Sequence, residues 1–378
     1  MNTRRDFIRT GARAALVGPL LPTDALSLGV GNETRAHPLR ILILGGTAFL
    51  GPHMVAYALQ RGHSVTTFTR GRTEPTVHRR LFDDVEALVG DRDVGLDALE
   101  GRSWDVVIDN SGRRVEWATE AATALRDRVE TYVYTSSTGV YYPYLGASID
   151  ETTPVAMEVP AGIDEGDAGS YEYGVMKARS EAEVRRIFGE DRAIVVRPTY
   201  IMGPGDRTHR FTYWPIRLER GGEVMIPGRA DDPVQYIDVR DVAEWMIRLA
   251  ENQDAGTYNA AGPAAPMGMH RFVHATQAAF SAPTTFVPID DYDFLFSHRV
   301  RFRIPWIPPI GNNYGSARAD ITRALDHGLT FRPLADSARD IHAWWTSGAV
   351  PEEEQARLTG PESVMGREAD IIAAWRSR

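Results

Sequence analysis

An open, doubly wound parallel α/β sheet with a smaller C-terminal lobe is the fold this sequence predicts. Three observations carry the prediction: short aliphatic runs recur from residue 39 onward, helix-forming segments separate them, and turns rich in Gly, Ser, Thr or Asn follow the runs. Runs that are apolar throughout, with no polar alternation, suit strands buried on both faces of a sheet.

Leu39 to Leu44 is the first such run. It leads into Gly45-Gly46-Thr47-Ala48-Phe49-Leu50-Gly51, after which Met54 to Gln60 reads as a helix ended by Arg61-Gly62. Strand, glycine-rich turn and helix in this order make a dinucleotide site: the turn is tight, the backbone can approach a pyrophosphate, and the helix N-terminus faces its charge. A second strand spans Ser64 to Thr69. An acidic residue near its end would suit the ribose of NAD, whereas Arg70-Gly71-Arg72 follows here, which favours a 2′-phosphate and NADP, with NAD as the alternative. Val85 to Gly90 approaches a third strand or turn, and Asp91-Arg92 after it are placed to touch the adenine. Trp104 to Asp109 is a further strand, with Asn110-Ser111-Gly112 expected beneath the cofactor. Thr131 to Tyr134 then leads into Thr135-Ser136-Ser137-Thr138-Gly139-Val140-Tyr141.

Lys177 is the only lysine in 378 residues and stands four places after Tyr173. All other basic side chains among the 42 Lys and Arg residues are arginines. Lys differs from Arg in carrying a compact ammonium on a flexible stem, able to hydrogen-bond sugar hydroxyls and to stabilise a neighbouring phenolate. Positions i and i+4 of a helix share one face. A tyrosine so placed can act as a general acid or base. Coincidence is the bland alternative for the pairing; for Ser137, flanked by Ser136 and Thr138, it is an ordinary turn role.

Composition narrows the classes of function. The formal charge is −9 and the pI about 5.6, which disfavours nucleic acid as the main partner. With no cysteine there are no disulfides, thiolate nucleophiles or Cys-ligated zinc. His270 and His274 would share a helical face, but without an adjacent Glu or a third ligand they read as ordinary surface histidines, and no metal site is expected. No apolar run approaches the roughly 18 residues of a membrane span, so no stable membrane insertion is expected.

The N-terminal segment Thr3-Arg4-Arg5-Asp6-Phe7-Ile8-Arg9, followed by the mildly apolar Ala14 to Leu21, resembles a twin-arginine export signal. The resemblance implies the twin-arginine translocase as a partner and a periplasmic or extracellular location. A disordered basic N-terminus on a cytoplasmic protein is the alternative.

From these motifs the chain is similar to the short-chain dehydrogenase/reductase superfamily, and within it to the extended, epimerase/dehydratase-like members. The glycine pattern of an atypical subgroup matches Gly45 to Gly51; the usual extended pattern has glycine where this chain has Ala48. Further matches are Tyr173 and Lys177, Ser137 before Val140-Tyr141, Arg197-Pro198-Thr199 with Gly203-Pro204-Gly205, Gln235 to Asp241, and Gly328 to Trp345. Relatives include sugar epimerases and dehydratases, isoflavone-reductase-like proteins and plant RNA-binding proteins. The resemblance implies a Rossmann domain over 37–200, with Tyr173 as acid/base, Lys177 favouring its ionised form and holding the cofactor ribose, and Ser137 bonding the reacting oxygen. Where sugar-nucleotide dehydratases place acids after this hydroxyl residue, the chain has Thr138-Gly139.

Beyond Tyr200 the sequence leaves the sheet and becomes mixed, and 201–348 reads as a smaller substrate lobe, with an exchange of segments with the sheet as the alternative. Arg207, Arg210, Tyr213 and Trp214 are candidates for an anionic or sugar-like ligand, and Phe294 to Pro309, with Trp306, for a pocket wall. Pro143 to Gly169 reads as a loop or lid, and 349–378 as a C-terminal surface helix. The function expected is an NAD(P)-dependent epimerase or isomerase that oxidises and re-reduces a sugar-like small molecule. Its rivals are a cytoplasmic NADPH-dependent carbonyl reductase and a dinucleotide-bound, non-catalytic binding protein.

Overall fold

The computed structural model describes residues 37–110 and 112–378; the export-signal expectation for 1–36 and the expectation for Ser111 lie outside them. In chain order, β1 (Arg40–Leu44) runs through the glycine turn into α1 (Leu50–Gln60), then β2 (Ser64–Thr69), β3 (Glu86–Val89), β4 (Val106–Asp109), α2 (Val115–Leu125) and β5 (Thr131–Thr135). The long α3 (Glu165–Phe188) precedes β6 (Ala193–Pro198) and the short β7 (Ile201–Met202). Next come α4 (Tyr213–Arg220), β8 (Gly222–Pro227), β9 (Ile237–Asp238), α5 (Val239–Asn252) and β10 (Gly256–Ala260). The remainder is α6 (Met269–Gln277), β11 (Thr284–Ile289), α7 (Tyr292–Ser297), α8 (Thr322–Asp326), α9 (Leu334–Thr346), α10 (Glu352–Thr359) and α11 (Val364–Arg376).

Seven parallel strands form one sheet in the order β10-β6-β5-β4-β1-β2-β3. This is the doubly wound order expected, and it reverses direction between β1 and β4, where such sheets open a crevice at their C-terminal ends. The aliphatic side chains divide by strand alternation. Ile41 and Ile43 pack with α1 and α5, while Leu42 and Leu44 pack with α2 and the underside of α3. Helix α1 starts four residues earlier than its periodicity suggests, because Pro52 sits in the first turn, where a missing N–H costs nothing.

The segment after Tyr200 does not simply leave the sheet. It returns as α5 and as edge strand β10, whose Asn259 side chain is fully buried and bonds Tyr141 and the carbonyls of Ile149 and Asp320. Its remaining elements build a second core around the parallel pair β8–β11, with α4, α6, α9 and α11. Residues 349–378 are therefore corrected from a surface helix to two helices. Val364, Met365, Ile371 and Ile372 of α11 are buried, and Glu368 reaches inward to Arg217, Tyr213 and the Met225 N–H.

Residues 143–164 form the expected loop, whereas Glu165 to Gly169 already belong to α3. A second loop straps it down: Tyr144 N–H donates to Asn312 O at 2.9 Å and Gly315 N–H to Tyr144 O at 2.7 Å. Glu151 accepts from the Asn259 N–H at 2.7 Å, holding the loop to the sheet edge.

Candidate active site

The glycine turn is shaped by close approach. Gly45 has φ 85° and donates its N–H to Phe68 O at 3.0 Å, tying the turn to the end of β2. A Cβ on Gly46 would lie 2.5 Å from Thr67 Cγ2, and one on Gly51 would lie 2.4 Å from the Gly46 carbonyl carbon and oxygen. Backbone therefore packs on backbone where α1 begins. Ala48 is exposed at the crest, Thr47 and Phe49 are half-buried, and Leu50 is buried. No acidic residue occupies the first turn of α1, so its N–H groups present an uncompensated positive end. Beyond β2, Arg70 is exposed, while Arg72 lies 3.7 Å from Asp91. A groove of about 480 Å³, lined in part by Asp93, Val94, Arg114 and Trp117, opens between the loop after β3 and the start of α2.

Arg92 is a correction. It is buried rather than turned to a ligand, and its guanidinium forks onto Asp109 at 2.7 and 3.0 Å. Asp109 is fully buried at the end of β4 and also accepts from Tyr132; a carboxylate there requires a paired cation.

Lys177 enters from α3 and is buried at the C-terminal ends of β4 and β5. Its ammonium donates to Gly112 O and Thr135 O, both at 2.9 Å, and lies 3.4 Å from the Tyr134 hydroxyl. Burial pulls its pKa down to about 8, with Arg113 and Arg92 adding to the effect and Asp109 and Glu181 opposing it. One turn earlier, Tyr173 stands at the same helix face, 45% exposed. Its ring rests on Gly139, where a Cβ would fall 2.8 Å from Tyr173 Cε1 and 3.2 Å from Ser137 Oγ. Ser137 Oγ accepts the Gly139 N–H at 3.0 Å, leaving its own proton to donate. Gly174 makes this approach feasible, since a Cβ there would lie 2.5 Å from Gly139 O.

Beneath this turn, Glu181 pairs with Arg197 at 2.6 and 2.9 Å and accepts from the Ser136 hydroxyl, and Arg197 donates to the Tyr141 hydroxyl at 2.7 Å. Each buried charge is thus hydrogen-bonded, which fixes the segment that carries Ser137. Phenols crowd the open side. Burial raises the Tyr144 pKa, and Tyr200, Tyr173 and Tyr142 add to it. The Tyr142 ring lies 5.6 Å from that of Tyr144 and 4.9 Å from that of Tyr171.

Ser137, Tyr173 and Lys177 thus converge, whereas the substrate candidates divide. Arg210 is exposed with its guanidinium 5.2 Å from the Tyr200 ring. Tyr213 and Trp214 are corrections: both are buried in the C-terminal core, where Tyr213 bonds Glu368 at 3.2 Å and the Trp214 indole N–H donates to Ile304 O at 2.9 Å. Trp306, expected in a pocket wall, is fully buried and donates to Asp232 at 2.8 Å. Sequence reasoning passed over Gly139, Gly174, Tyr144 and Tyr200. Gly174 carried a signal, because a glycine inside a helix costs about 1 kcal/mol against alanine and is repaid where backbones touch.

A match to the family described as NAD dependent epimerase/dehydratase spans residues 41–261. The chain belongs to that family. A family relative, the chloroplast stem-loop binding protein of 41 kDa b from Arabidopsis thaliana, is 28% identical over 246 residues, covering 62% of this chain and only 60% of that protein's length. Among solved structures, a UDP-N-acetylglucosamine 4-epimerase from Methanobrevibacter ruminantium superposes with TM-score 0.61 at 16% identity, over 82% of this chain and 99% of that one. The enzyme WbmH from Bordetella bronchiseptica, solved in complex with NAD+, gives TM-score 0.59 at 16% identity, over 83% of this chain and all of that one. At these identities the likeness establishes the family's fold.

Proposed function

We propose that the protein is an NAD(P)-dependent epimerase or isomerase that acts on a hydroxyl or carbonyl of a sugar-like small molecule through Ser137, Tyr173 and Lys177. One observation carries the reading: the buried Lys177 ammonium and the half-exposed Tyr173 phenol share a helix face seated on Gly139, beside Ser137 Oγ. The sugar epimerase likeness supports the substrate class.

The residues present fit a dinucleotide. Gly46 and Gly51 leave no room for a Cβ at the start of α1, whose N-terminus carries no competing acid. Gly45 to Gly51 would hold the pyrophosphate, Asp91 the adenine end, Ser111 and Gly112 the underside, and Lys177 the ribose. Arg70, exposed at the end of β2 with no acidic partner among the described residues, favours NADP. When bound, a nicotinamide dinucleotide supplies the acceptor and donor of hydride. Tyr173 takes the proton of the substrate hydroxyl as its carbon is oxidised and returns it on reduction. Ser137 donates a hydrogen bond to the same oxygen throughout, and Lys177 places a positive charge one helical turn from Tyr173. Residues 1–36 would direct export, and a reaction with no net cofactor turnover suits a compartment without a dissolved dinucleotide pool.

Mass spectrometry of small molecules released from the purified protein tests the reading. A nicotinamide dinucleotide is expected; protein that carries none and binds neither NAD nor NADP when offered them would end it.

A further inference from the structure

We propose that Glu354 of α10 is a positioning residue for the dinucleotide: with Trp344 and Trp345 it holds His209, and through it residues 200–209, which flank the dinucleotide crevice, so that release waits on the opening of α10. The inference rests on the reading of Gly45 to Gly51 as a dinucleotide site, and adds to it a latch.

The flank comes first. β6 lies beside β5, with Ser136 N–H donating to Val196 O at 2.7 Å, so the chain leaving β6 at Tyr200 starts next to the Ser137 turn. It then reaches the glycine turn: a Cβ on Gly205 would lie 3.8 Å from Phe49 Cδ2, and His53 Nε2 donates to Pro204 O at 2.9 Å. The same Cβ would lie 3.7 Å from Thr76 and from Val77, and His78 Nε2 lies 3.2 Å from His53 Nδ1, so the loop after β2 joins the wall. A dinucleotide with its pyrophosphate on the turn and its nicotinamide beside Tyr173 would run along residues 200–205.

The hold comes next. Asp206 is buried, and its carboxylate accepts from the Thr208 N–H at 2.9 Å and the Thr208 hydroxyl at 2.5 Å, while the His209 N–H donates to Asp206 O at 3.2 Å. Residues 206–209 therefore form one hydrogen-bonded turn, and what grips His209 grips the flank. His209 has φ 52°, an uncommon conformation outside glycine that persists where the surroundings enforce it. Its ring stacks on Trp344 with centroids 5.9 Å apart, meets Trp345 edge-on at 5.2 Å, and places Nε2 3.0 Å from Glu354. Nδ1 is buried without a hydrogen-bond partner among the described residues, so Glu354 is the one polar group there that holds the ring.

The hold can open. α10 buries none of its residues; Glu354, Gln355 and Leu358 are half-buried, and the Gln355 amide donates to Val350 O at 3.1 Å and Trp345 O at 3.4 Å. α11 is rooted instead by Ile371, Ile372 and Glu368. A helix with so little buried surface detaches at small free-energy cost while the cores stay intact. Both α9 and α10 lie beyond residue 261, where the family match ends, so the latch belongs to the C-terminal part of this chain.

The test is stopped-flow release of NADPH from the full-length protein, chased with excess NADP+ and followed by fluorescence, beside thermal melts of the dinucleotide-free protein. Glu354→Ala should speed release roughly tenfold or more through the loss of one charge-assisted hydrogen bond. His209→Gly, which accepts the backbone angle but offers no ring to grip, should speed it further. Glu354→Gln, still able to bond the imidazole, should release more slowly than Glu354→Ala. Melting temperatures of the Glu354 variants should stay at the wild-type value, because that side chain lies outside both cores. Unchanged release in Glu354→Ala and His209→Gly would overturn the latch, as would release that quickens only in step with a lowered melting temperature. Neither result touches the reading beneath, which fails instead if wild type binds neither NADPH nor NADH.

Discussion

The ring of Tyr173 lies so close to Gly139 that a methyl group on that glycine would sit 2.8 Å from Cε1. Glycine is required there by the side chain that must pass over it, since the residue is not held at positive φ. Gly139→Ala should therefore separate function from folding. The half-exposed phenol can swing aside, so stability should change by less than about 1 kcal/mol, while turnover falls at least tenfold because the proton acceptor is displaced from Ser137. Urea unfolding and steady-state kinetics on the same preparation check this; unchanged turnover would mean that the Tyr173 ring need not rest there.

Tyr173→Phe keeps the ring and removes the proton. Turnover should drop by roughly 10²- to 10⁴-fold with dinucleotide affinity nearly unaltered. A variant that retains wild-type turnover would remove Tyr173 from the mechanism.

Lys177 carries a stability cost with a defined pH window. Its pKa is lowered from 10.5 to about 8 by burial, so between these values the unfolded chain binds the proton that the native state has released. Stability from this group is then fully present above 10.5 and lost as pH falls through 8. Relative to Lys177→Met, wild type should gain stability as pH rises from about 8 towards 10.5, by on the order of 3 kcal/mol at most. Denaturation curves at several pH values measure the difference, and curves that run parallel would contradict it.

Two glycines near helix starts should respond oppositely to alanine. At Gly51 the new Cβ would meet the Gly46 backbone at 2.4 Å, and neither partner is a side chain that can move. Gly51→Ala should lose about 1–3 kcal/mol and most of its dinucleotide affinity. At Gly169, in α3, nothing lies within 4 Å, so Gly169→Ala should gain roughly 0.5–1 kcal/mol. Thermal melts of both variants, with and without added NADP, decide it.

Export is tested by fusing residues 1–36 to a reporter that is active only after translocation in folded form. Replacing Arg4 and Arg5 together by Lys should abolish the signal; export that is insensitive to the change would exclude the twin-arginine route.

The sheet was legible because β1, β4 and the centre of β5 are buried on both faces, which forces aliphatic or aromatic residues into short runs, while β2, Ser-Val-Thr-Thr-Phe-Thr, showed itself by its β-branched residues. β10 was not: Gly-Thr-Tyr-Asn-Ala is an edge strand whose Asn259 is buried to serve Tyr141 and two distant carbonyls, contacts that no local pattern announces. The same limit explains Tyr213, Trp214 and Arg92. An aromatic pair beside arginines reads equally as a cleft or as a core, and only the arrival of Glu368, some 150 residues away, settles the matter. Arg92 after Gly-Asp looked like a ligand contact because Asp109, its partner, is remote in sequence. Lys177 with Tyr173 was legible because i and i+4 is a local relation, and the glycine turn because its geometry is written in seven consecutive residues. What the sequence could not convey was how Gly139 and Gly174 bring the two segments together.

The acceptors that hold the Lys177 ammonium, Gly112 O and Thr135 O, belong to the main chain. Every amino acid supplies the same carbonyl, so no replacement at positions 112 or 135 can delete an acceptor outright. The hold on the amine therefore depends on the path of the main chain, and a replacement at Gly112 acts by displacing that path, because a Cβ there would lie 2.8 Å from the Tyr134 ring and hydroxyl.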